Sequence, residues 1–228
     1  AANNVSTAAS SVGSTLIIDP NKPSGSITVI APSAGILGLD DIITLTVAAG
    51  SNETSLTLAG TINGQNGFNV QALAGGNAGK YTIDYQIAEG DANVASGALA
   101  ASLTLTDLAG NISSTMTTPP VNTVIIDTGV PTITSVSLTP NNGYRKIGQT
   151  VLITVTAGAN EIGLTPSAAT FNGQQIALTD QNDGTYTGTY TVVEGQANAT
   201  NPEATNITLT DAANNVSTAA SSVGSTLI

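Results

Sequence analysis

Cysteine, histidine and tryptophan are all absent from the 228-residue chain. Without cysteine there is no disulfide and no thiolate metal ligand, and without histidine there is no imidazole ligand or base. Zinc sites and histidine-dependent catalysis are therefore excluded. No apolar run in the sequence approaches the roughly 20 residues that a transmembrane helix needs, so we expect no direct insertion into a membrane.

Aromatic residues are also scarce, at 3% of the chain. The core must therefore be built from Val, Ile, Leu and Ala. Such residues bury less area than Phe or Trp, and the β-branched ones among them suit the pleated surface of a sheet.

Basic residues are also few. The chain has four Lys and Arg in total and fifteen Asp and Glu, which gives a formal net charge of −11. Most carboxylates therefore lack a basic partner. A fold that gathers such carboxylates raises their pKa values or recruits a cation. The negative balance also argues against nucleic acid and anionic membranes as partners.

Two levels of repetition are present. Residues 1–17 are identical to residues 212–228, at an offset of 211 residues. We therefore expect the chain to come from a longer protein that repeats a 211-residue unit, with no leader peptide visible at residue 1. A weaker half-repeat lies inside that unit, with matching acids at offsets of 104 to 108 residues: Asp19 and Asp127, Glu89 and Glu194, Asp107 and Asp211.

The half-repeat predicts two related domains, at residues 18–126 and 127–228, preceded at 1–17 by the last strand of an earlier repeat. Both domains contain short runs that alternate apolar residues with Thr, for example at 42–47 and 151–156. This alternation is the period-2 pattern of a half-buried strand. About seven such strands in about 100 residues predict an all-β chain of two tandem immunoglobulin-like β-sandwiches, and we predict no helix.

Acidic and amide residues occur where predicted strands end. In the first domain Glu89 and Asp91 close one strand, Asp107 and Asn111 follow the next, and Asp127 begins the second domain. We expect both loops to lie at the pole of the sandwich from which Asp127 leaves. These oxygens, with carbonyl groups and water, would satisfy the six to eight hard-oxygen ligands of Ca²⁺, whereas Mg²⁺ prefers a tighter octahedron.

The second domain carries Glu194, Asp211 and Asn215 at the matching positions, but Gln196 replaces the acid found at Asp91. We therefore expect its own terminal site to be incomplete, or completed by a neighbouring chain. Asp19 has no preceding folded domain in this sequence, so we expect its site to be open.

Other interpretations of these acids remain open. Asp107 and Asp127 can accept backbone N–H groups as in an Asx turn. Asp40 and Asp41 are equally consistent with surface solvation and with a second metal site. Residues 180–184 faintly resemble a calcium loop, but their spacing favours a hairpin turn.

The chain resembles a known family in the combination of Asp-x-Ala-Gly-Asn at 107–111, a Thr-rich strand, and Ile-Asp-x-x-x-Pro at 126–131. The combination is similar to the bacterial Ig-like repeats of giant surface adhesins, and most of all to the extender domains of RTX adhesins exported by type I secretion. The resemblance covers residues 18–228 and the strand at 1–17. In the second domain Asn214 replaces the usual Gly, and Asn tolerates the left-handed conformation that the turn requires.

This resemblance implies an extracellular stalk module on a bacterial cell surface, involved in cell adhesion and stiffened by Ca²⁺ at its interdomain joints. The residues expected to bind the metal are Asp19, Glu89, Asp91, Asp107, Asn111, Asp127, Glu194, Asp211 and Asn215.

The expected partners are neighbouring repeats of the same chain. Residues 1–17 suit the position that residues 212–228 fill in another copy. Two arrangements follow: chains exchange this strand head to tail, or the strand extends alongside a neighbour. The alternative function is a ligand-binding adhesin module for a glycan or for ice. The five tyrosines lie mostly in alternating strands, which favours packing over sugar binding, and no cleft-forming insertion suggests an enzyme.

Overall fold

The computed structural model describes residues 17–117, 119–223 and 226–227. In this part of the chain the helical elements are three 3-10 turns, at Gly50–Asn52, Gly75–Asn77 and Gly158–Asn160. None of the described helices is long and apolar enough to cross a membrane. The predicted all-β class is therefore confirmed.

The first unit of the chain contains nine of the described strands. They are β1 (Gly25–Ala31), β2 (Ala34–Leu37), β3 (Ile42–Ala49), β4 (Thr57–Ile62), β5 (Gln65–Asn66), β6 (Phe68–Ala72), β7 (Lys80–Gln86), β8 (Ala101–Thr106) and β9 (Thr123–Ile126). One sheet has the order β1-β3-β7-β6 and is antiparallel. The opposite sheet is formed by β5-β4-β8, and β2 pairs with β9 in parallel beside it.

The second unit repeats this plan, and some of its strands, among them those that correspond to β4 and β8, are shorter. They are β10 (Ile133–Thr139), β11 (Asn142–Gly143), β12 (Thr150–Ala157), β13 (Thr165–Pro166), β14 (Ala169–Phe171), β15 (Gln174–Ile176), β16 (Thr179–Asp180), β17 (Thr185–Thr191), β18 (Ala204–Thr205), β19 (Leu209–Thr210) and β20 (Thr226–Leu227). The sheet β10-β12-β17-β16 corresponds to β1-β3-β7-β6, and the parallel pair β11-β20 corresponds to β2-β9.

Each unit has its own hydrophobic core, built from alternating residues of facing sheets. In β3 the side chains of Ile43, Leu45 and Val47 are fully buried, while the intervening threonines are half-buried. The predicted boundary at residues 126 and 127 lies between the two cores and stays a prediction. The predicted orphan strand, and the strand exchange that depends on it, lie outside the described residues except for Ile17.

Strand direction decides which loops share an end of a unit. Residues 50–56 connect the end of β3 to the start of β4, so these two strand ends lie at the same end of the unit. β8 pairs antiparallel with β4, which places Thr106 opposite Thr57. The loop after β8, residues 107–111, is therefore at the same end as residues 50–56, which we call the N-terminal pole. β7 pairs antiparallel with β3, so residues 87–93 lie at the other end with residues 38–41, which we call the C-terminal pole.

The prediction that the loops after β7 and β8 share a pole is therefore wrong. Glu89 and Asp91 lie at the C-terminal pole of the first unit, whereas Asp107 and Asn111 lie at its N-terminal pole. The chain crosses the whole sandwich between the end of β7 and the end of β8, so the ends of these two successive strands are not neighbours.

A buried serine attaches the chain segment after β8 to the edge of that strand. The Ser113 hydroxyl accepts the Leu105 N–H over 2.9 Å and donates to the Ser114 carbonyl over 3.0 Å. Ser217 makes the corresponding bond to Leu209 over 2.9 Å. The edge of each sheet is thus closed by a side chain as well as by backbone bridges.

Replacing Ser113 with alanine should lower the free energy of unfolding by about 1–3 kcal/mol, because the buried Leu105 N–H loses its acceptor. Ser102→Ala is the matched control, since Ser102 is exposed on the same strand, and should change stability by less than about 0.5 kcal/mol. Urea denaturation followed by circular dichroism measures both values. Equal effects of the two substitutions would contradict the assigned role of Ser113.

Candidate functional site at the joint between the units

The turn that carries Asp211 and Asn215 is held by its own hydrogen bonds. The Asn215 backbone N–H donates to Asp211 Oδ1 over 2.9 Å, and Asn215 Nδ2 donates to Asp211 Oδ2 over 3.0 Å. Asn214 has a φ of 66°, where Gly110 has a φ of 90° in the first unit. The prediction that Asn214 takes the left-handed conformation is confirmed.

Asn215 is the centre of the joint and is only 3% exposed. Its Nδ2 also donates to the carbonyl oxygens of Asp127, over 2.9 Å, and Gly129, over 3.1 Å, both in the linker between the units. Its Oδ1 accepts the N–H of Leu39 from the first unit over 2.9 Å. One side chain therefore connects the second unit, the linker and the C-terminal pole of the first unit.

The two units approach each other closely at Gly38. A Cβ on Gly38 would overlap the Ala213 carbonyl oxygen and would lie 2.6 Å from Asn215 Oδ1. Ala213 itself is 2% exposed. Only glycine permits this approach of backbone to backbone without displacing one unit.

The linker is also anchored to the loop after β7. Asp127 Oδ1 accepts the Gly129 N–H over 2.9 Å and the Asn93 Nδ2–H over 3.2 Å. The Thr128 hydroxyl donates to the Asp91 carbonyl over 3.0 Å. The Asx-turn hydrogen bond considered for Asp127 is thus present, and it fixes the direction in which the chain leaves the first unit.

The first unit repeats the arrangement around Asp19. Asn111 Nδ2 donates to the Asp19 carbonyl over 3.0 Å and to Asp107 Oδ2 over 2.9 Å, and its backbone N–H donates to Asp107 Oδ1 over 2.8 Å. The hydrogen bond from the Asn111 side chain is the main cause that lowers the pKa of Asp107. Asp107 thus also makes the Asx-type hydrogen bonds considered above.

The predicted grouping of the joint residues therefore has to be corrected. The structure brings Asp107 and Asn111 to Asp19, and not to Asp127. It brings Asp211 and Asn215 to Asp127, and not to a site at the far end of the second unit. In each unit the Asp-x-x-x-Asn turn contacts the linker that enters that unit.

Glu161, which none of the motifs above includes, also faces the joint. Burial, together with the negative charges of Asp211 and Asp127, raises the pKa of Glu161. Its ionised form is therefore destabilised in the folded protein, and this repulsion disappears as the pH falls through the raised pKa.

The position of the Glu161 backbone is set by a buried tyrosine. Tyr186 Oη donates to the Glu161 carbonyl over 3.1 Å and accepts the Leu164 N–H over 3.1 Å. Tyr81 binds the Glu53 carbonyl in the same way, over 3.1 Å. A sequence signal for this pair does exist, because Glu53 and Glu161 are 108 residues apart, as are Asp19 and Asp127.

Asp91 closes a turn at the C-terminal pole. Its Oδ2 accepts the Tyr85 hydroxyl over 2.8 Å and the Ala88 N–H over 2.9 Å. Burial raises the pKa of Tyr85 to about 12; the hydrogen bond from Asn63 opposes this, and the hydrogen bond to Asp91 and its charge add to it.

Gln196 makes the same pair of hydrogen bonds in the second unit. Its Oε1 accepts the Tyr190 hydroxyl over 2.7 Å and the Val193 N–H over 3.0 Å. An amide therefore performs the turn-closing role of Asp91 equally well. The exchange of acid for amide preserves the fold and removes one charge.

The loop of the first unit that enters the joint contains Asp40 and Asp41. Asp41 Oδ2 accepts the Gly38 N–H over 2.9 Å, and Asp40 Oδ1 accepts the Gln86 Nε2–H over 3.3 Å. Both carboxylates are thus engaged in local bonds that shape the loop. Asp41 in particular positions the glycine that contacts the second unit.

The remaining acids either lie away from the joint contacts or accept hydrogen bonds that close a turn. Glu89 and Glu194 are exposed at the C-terminal poles of their units. Asp180 Oδ1 accepts the Asn182 N–H over 2.8 Å, and its Oδ2 accepts the Gly163 N–H over 2.8 Å. The hairpin-turn interpretation of residues 180–184 is therefore confirmed.

The joint contains carboxylate and carbonyl oxygens of the kind that Ca²⁺ prefers, but these oxygens do not meet around one point. Within the described ranges, no group of three or more Asp, Glu, His or Cys side chains lies close enough to hold a metal ion. Asp127, Asp211 and Glu161 do interact electrostatically, and no base contributes to the pKa of Glu161. Binding of one hard cation by all three would require these carboxylates to come closer together than they are here.

The tyrosines divide into core and surface. Tyr81, Tyr85, Tyr186 and Tyr190 are buried, as their alternating strands predicted, whereas Tyr144 is 75% exposed. The hydroxyl groups of the four buried tyrosines bind polar loops, and those of Tyr85 and Tyr186 bind loops on the joint side of their units.

The solved structures described below are only distantly similar to this chain. No protein-family model matches the chain, and no curated protein matches it. Fibronectin(III)-like modules of Clostridium thermocellum CbhA are 18% identical, with 87% of this chain and 94% of that chain covered and a TM-score of 0.37. A 1.5-MDa bacterial ice-binding adhesin is 20% identical, with 90% and 65% covered and a TM-score of 0.46. An I-band fragment of titin is 11% identical, with 90% and 63% covered and a TM-score of 0.40.

Replacing Asp91 with asparagine should change stability by less than about 1 kcal/mol at neutral pH, because an amide oxygen can accept both hydrogen bonds, whereas Asp91→Ala should cost about 1–3 kcal/mol. Because the folded pKa of Tyr85 lies above the ordinary tyrosine value of 10.0, stability should fall as the pH rises from 10 to about 12. Asp91→Asn should make that fall smaller. Urea denaturation across this pH range tests both points, and an unchanged pH dependence would count against the role of Asp91.

Replacing Asn215 with alanine should loosen the joint, because Leu39, Asp127 and Gly129 all lose a partner. Small-angle scattering should show a broader range of shapes, and we expect a loss of about 1–3 kcal/mol in stability. Asn111→Ala is the matched control, since it removes the equivalent bonds within the first unit without touching the second. The same change in scattering from both variants would refute the assignment.

Proposed function

We propose that this chain is a structural extender module, a length of stalk in a bacterial cell-surface adhesin. The observation that carries the proposal is the direction of the chain through the first unit. The linker enters at the N-terminal pole, where Asn111 binds the Asp19 carbonyl, and leaves at the C-terminal pole, where Asn93 binds Asp127. Units joined in this way add end to end, so each repeat lengthens the array.

The joint itself supports a mechanical role. In the joint, the backbone of one unit packs closely against the backbone of the other, and a buried amide makes hydrogen bonds across it. Both kinds of contact require a defined orientation of the two units. A hinge between independent domains would leave these groups in water. The resemblance of the 107–111 and 126–131 motifs to adhesin repeats supports the extracellular setting.

We further propose that Ca²⁺ stiffens the joint, held by Asp127, Asp211 and Glu161. Burial is the largest cause of the raised pKa of Glu161, and the negative charges of Asp211 and Asp127 add to it. The part that comes from these charges supports the proposal, because a divalent cation would relieve it. Extracellular calcium modules bind at about 10⁻⁴–10⁻³ M. Millimolar calcium would then stabilise the joint by about 1 kcal/mol.

Calcium should shift the scattering of the wild-type chain toward a narrower, more rod-like distribution, and titration calorimetry should show saturable binding. Glu161→Gln should abolish both effects, because one carboxylate ligand is lost. In chelator the same variant should be stiffer than wild type, because it also removes the repulsion.

Glu203→Gln is the control for this experiment, since Glu203 is an exposed glutamate of the second unit. It should respond to calcium as the wild type does. Superimposable scattering profiles with calcium and with chelator would disprove the calcium mechanism, and the end-to-end arrangement would be unaffected.

A further inference from the structure

The first unit contains the single methionine of the sequence, Met116. It lies in the segment that follows β8, where its N–H donates to the Leu103 carbonyl over 2.8 Å and its carbonyl accepts the Leu103 N–H over 3.0 Å. Met116 is 8% exposed and belongs to the hydrophobic core of the first unit. A thioether therefore closes this edge of the core.

Met116 faces the start of β1 across the gap between the two sheets. A Cβ on Gly25 would lie 3.3 Å from Met116 Sδ and 2.8 Å from Leu105 Cδ1. A side chain at position 25 would therefore need the space that the methionine occupies. Because protein interiors are close-packed, the glycine and the methionine depend on each other.

Ile133 is the counterpart of Gly25 in the second unit. Gly25 pairs with Ala49 at the start of β1, and Ile133 pairs with Ala157 at the start of β10. Ile133 packs against the core of the second unit. The first strand of the second unit thus supplies the side chain that the first strand of the first unit lacks.

Ala220 is the counterpart of Met116. It forms a bridge with Ile207, as Met116 does with Leu103, and it packs against the second core. The pair of Gly25 and Met116 in the first unit is thus replaced by Ile133 and Ala220. The two units fill the same gap from opposite sides, and only the first fills it with sulfur.

A groove leads from the surface to Met116. It has a volume of about 320 Å³ and is lined by residues 23–27 and 114–117, Met116 among them. One water molecule needs only about 10–15 Å³ of such space. A small oxidant such as hydrogen peroxide is little larger than water, so the groove admits it to the methionine side chain.

We propose that Met116 is a site of oxidation by peroxides, and that its sulfoxide loosens the edge of the first unit while the second unit is unaffected. The sulfur gives up two electrons and gains one oxygen atom. The O–O bond of hydrogen peroxide breaks, and its other oxygen leaves as water. The inference depends neither on the extender function nor on calcium.

The sulfoxide is destabilising because of where the side chain lies. Oxidation converts an apolar thioether into a polar, chiral group. A polar oxygen is costly in a core built from aliphatic residues such as Leu105. The sulfoxide therefore moves out of the gap, and the backbone pair of Leu103 and Met116 opens more often. Neither Ile133 nor Ala220 reacts with peroxide, so the second unit keeps its packing.

Mass spectrometry of the folded chain treated with hydrogen peroxide tests the proposal. We expect a gain of one oxygen atom at a known residue, since the chain has one methionine and no cysteine. Hydrogen exchange at the amides of Leu103 and Met116 should then be at least about tenfold faster. The mutually bonded amides of Ile207 and Ala220 are the control in the same molecule and should exchange as before.

Reduction should reverse the effect. The two methionine sulfoxide reductases, one for each sulfoxide epimer, return the oxygen as water while a dithiol is oxidised to a disulfide. Exchange at Leu103 and Met116 should then return to its original rate. Met116→Leu is the matched variant, because it keeps the apolar volume without sulfur. It should gain no oxygen and should show no change in exchange with peroxide.

A pair of substitutions tests the exchange of side chains between the units. Gly25→Ile alone should lower the urea midpoint of unfolding because the new side chain overlaps its neighbours, and Met116→Ala alone should lower it because a cavity remains. The double variant reproduces the packing of Ile133 and Ala220. It should recover most of the wild-type midpoint and resist peroxide.

Three results would overturn the proposal. Oxygen uptake only in denaturing urea would mean that the groove does not admit the oxidant. Uptake without faster exchange at Leu103 and Met116, or with equally faster exchange at Ile207 and Ala220, would mean that the sulfoxide does not act on this edge. A double variant no more stable than the weaker single variant would refute the assigned packing.

Discussion

The joint between the two units depends on one buried amide. Both polar atoms of the Asn215 side chain are bonded, and the partners come from the second unit, the linker and the first unit. Separating the units would break these hydrogen bonds and expose the Asn215 side chain, now 3% exposed, to water. Neutral hydrogen bonds, and not ion pairs, therefore fix the geometry, with Gly38 allowing the backbones to meet.

Repulsion between carboxylates destabilises this arrangement of the two units. The carboxylates of Asp127, Asp211 and Glu161 lie in one region, and burial together with the charges of the two aspartates raises the pKa of Glu161. The amide contacts hold the units together despite that repulsion. A cation bound near these carboxylates would reduce that repulsion, which is the physical basis of the calcium proposal.

Divergence between the two units has preserved backbone contacts while changing surface chemistry. Gln196 accepts the same two hydrogen bonds as Asp91, and Gln149 the same one as Asp41, so the loops keep their shape. Gly38 and Lys146 occupy equivalent positions in the two units. The exchange of one for the other keeps the backbone of the loop but changes what the loop can contact. The pole surfaces of the two related sandwiches thus differ while the loop geometry is kept.

The sequence by itself determined the strands, the core and the turns, because these depend on neighbours along the chain. The alternation in β3 predicted which side chains are buried, and Asn214 was correctly predicted to replace glycine in a left-handed position. The pole to which each loop belongs was decided only by the tertiary structure. It follows from the direction of β7 and β8, which is set by pairing across the sheets, and this is why Asp107 joins Asp19 while Asp211 and Glu161 join Asp127.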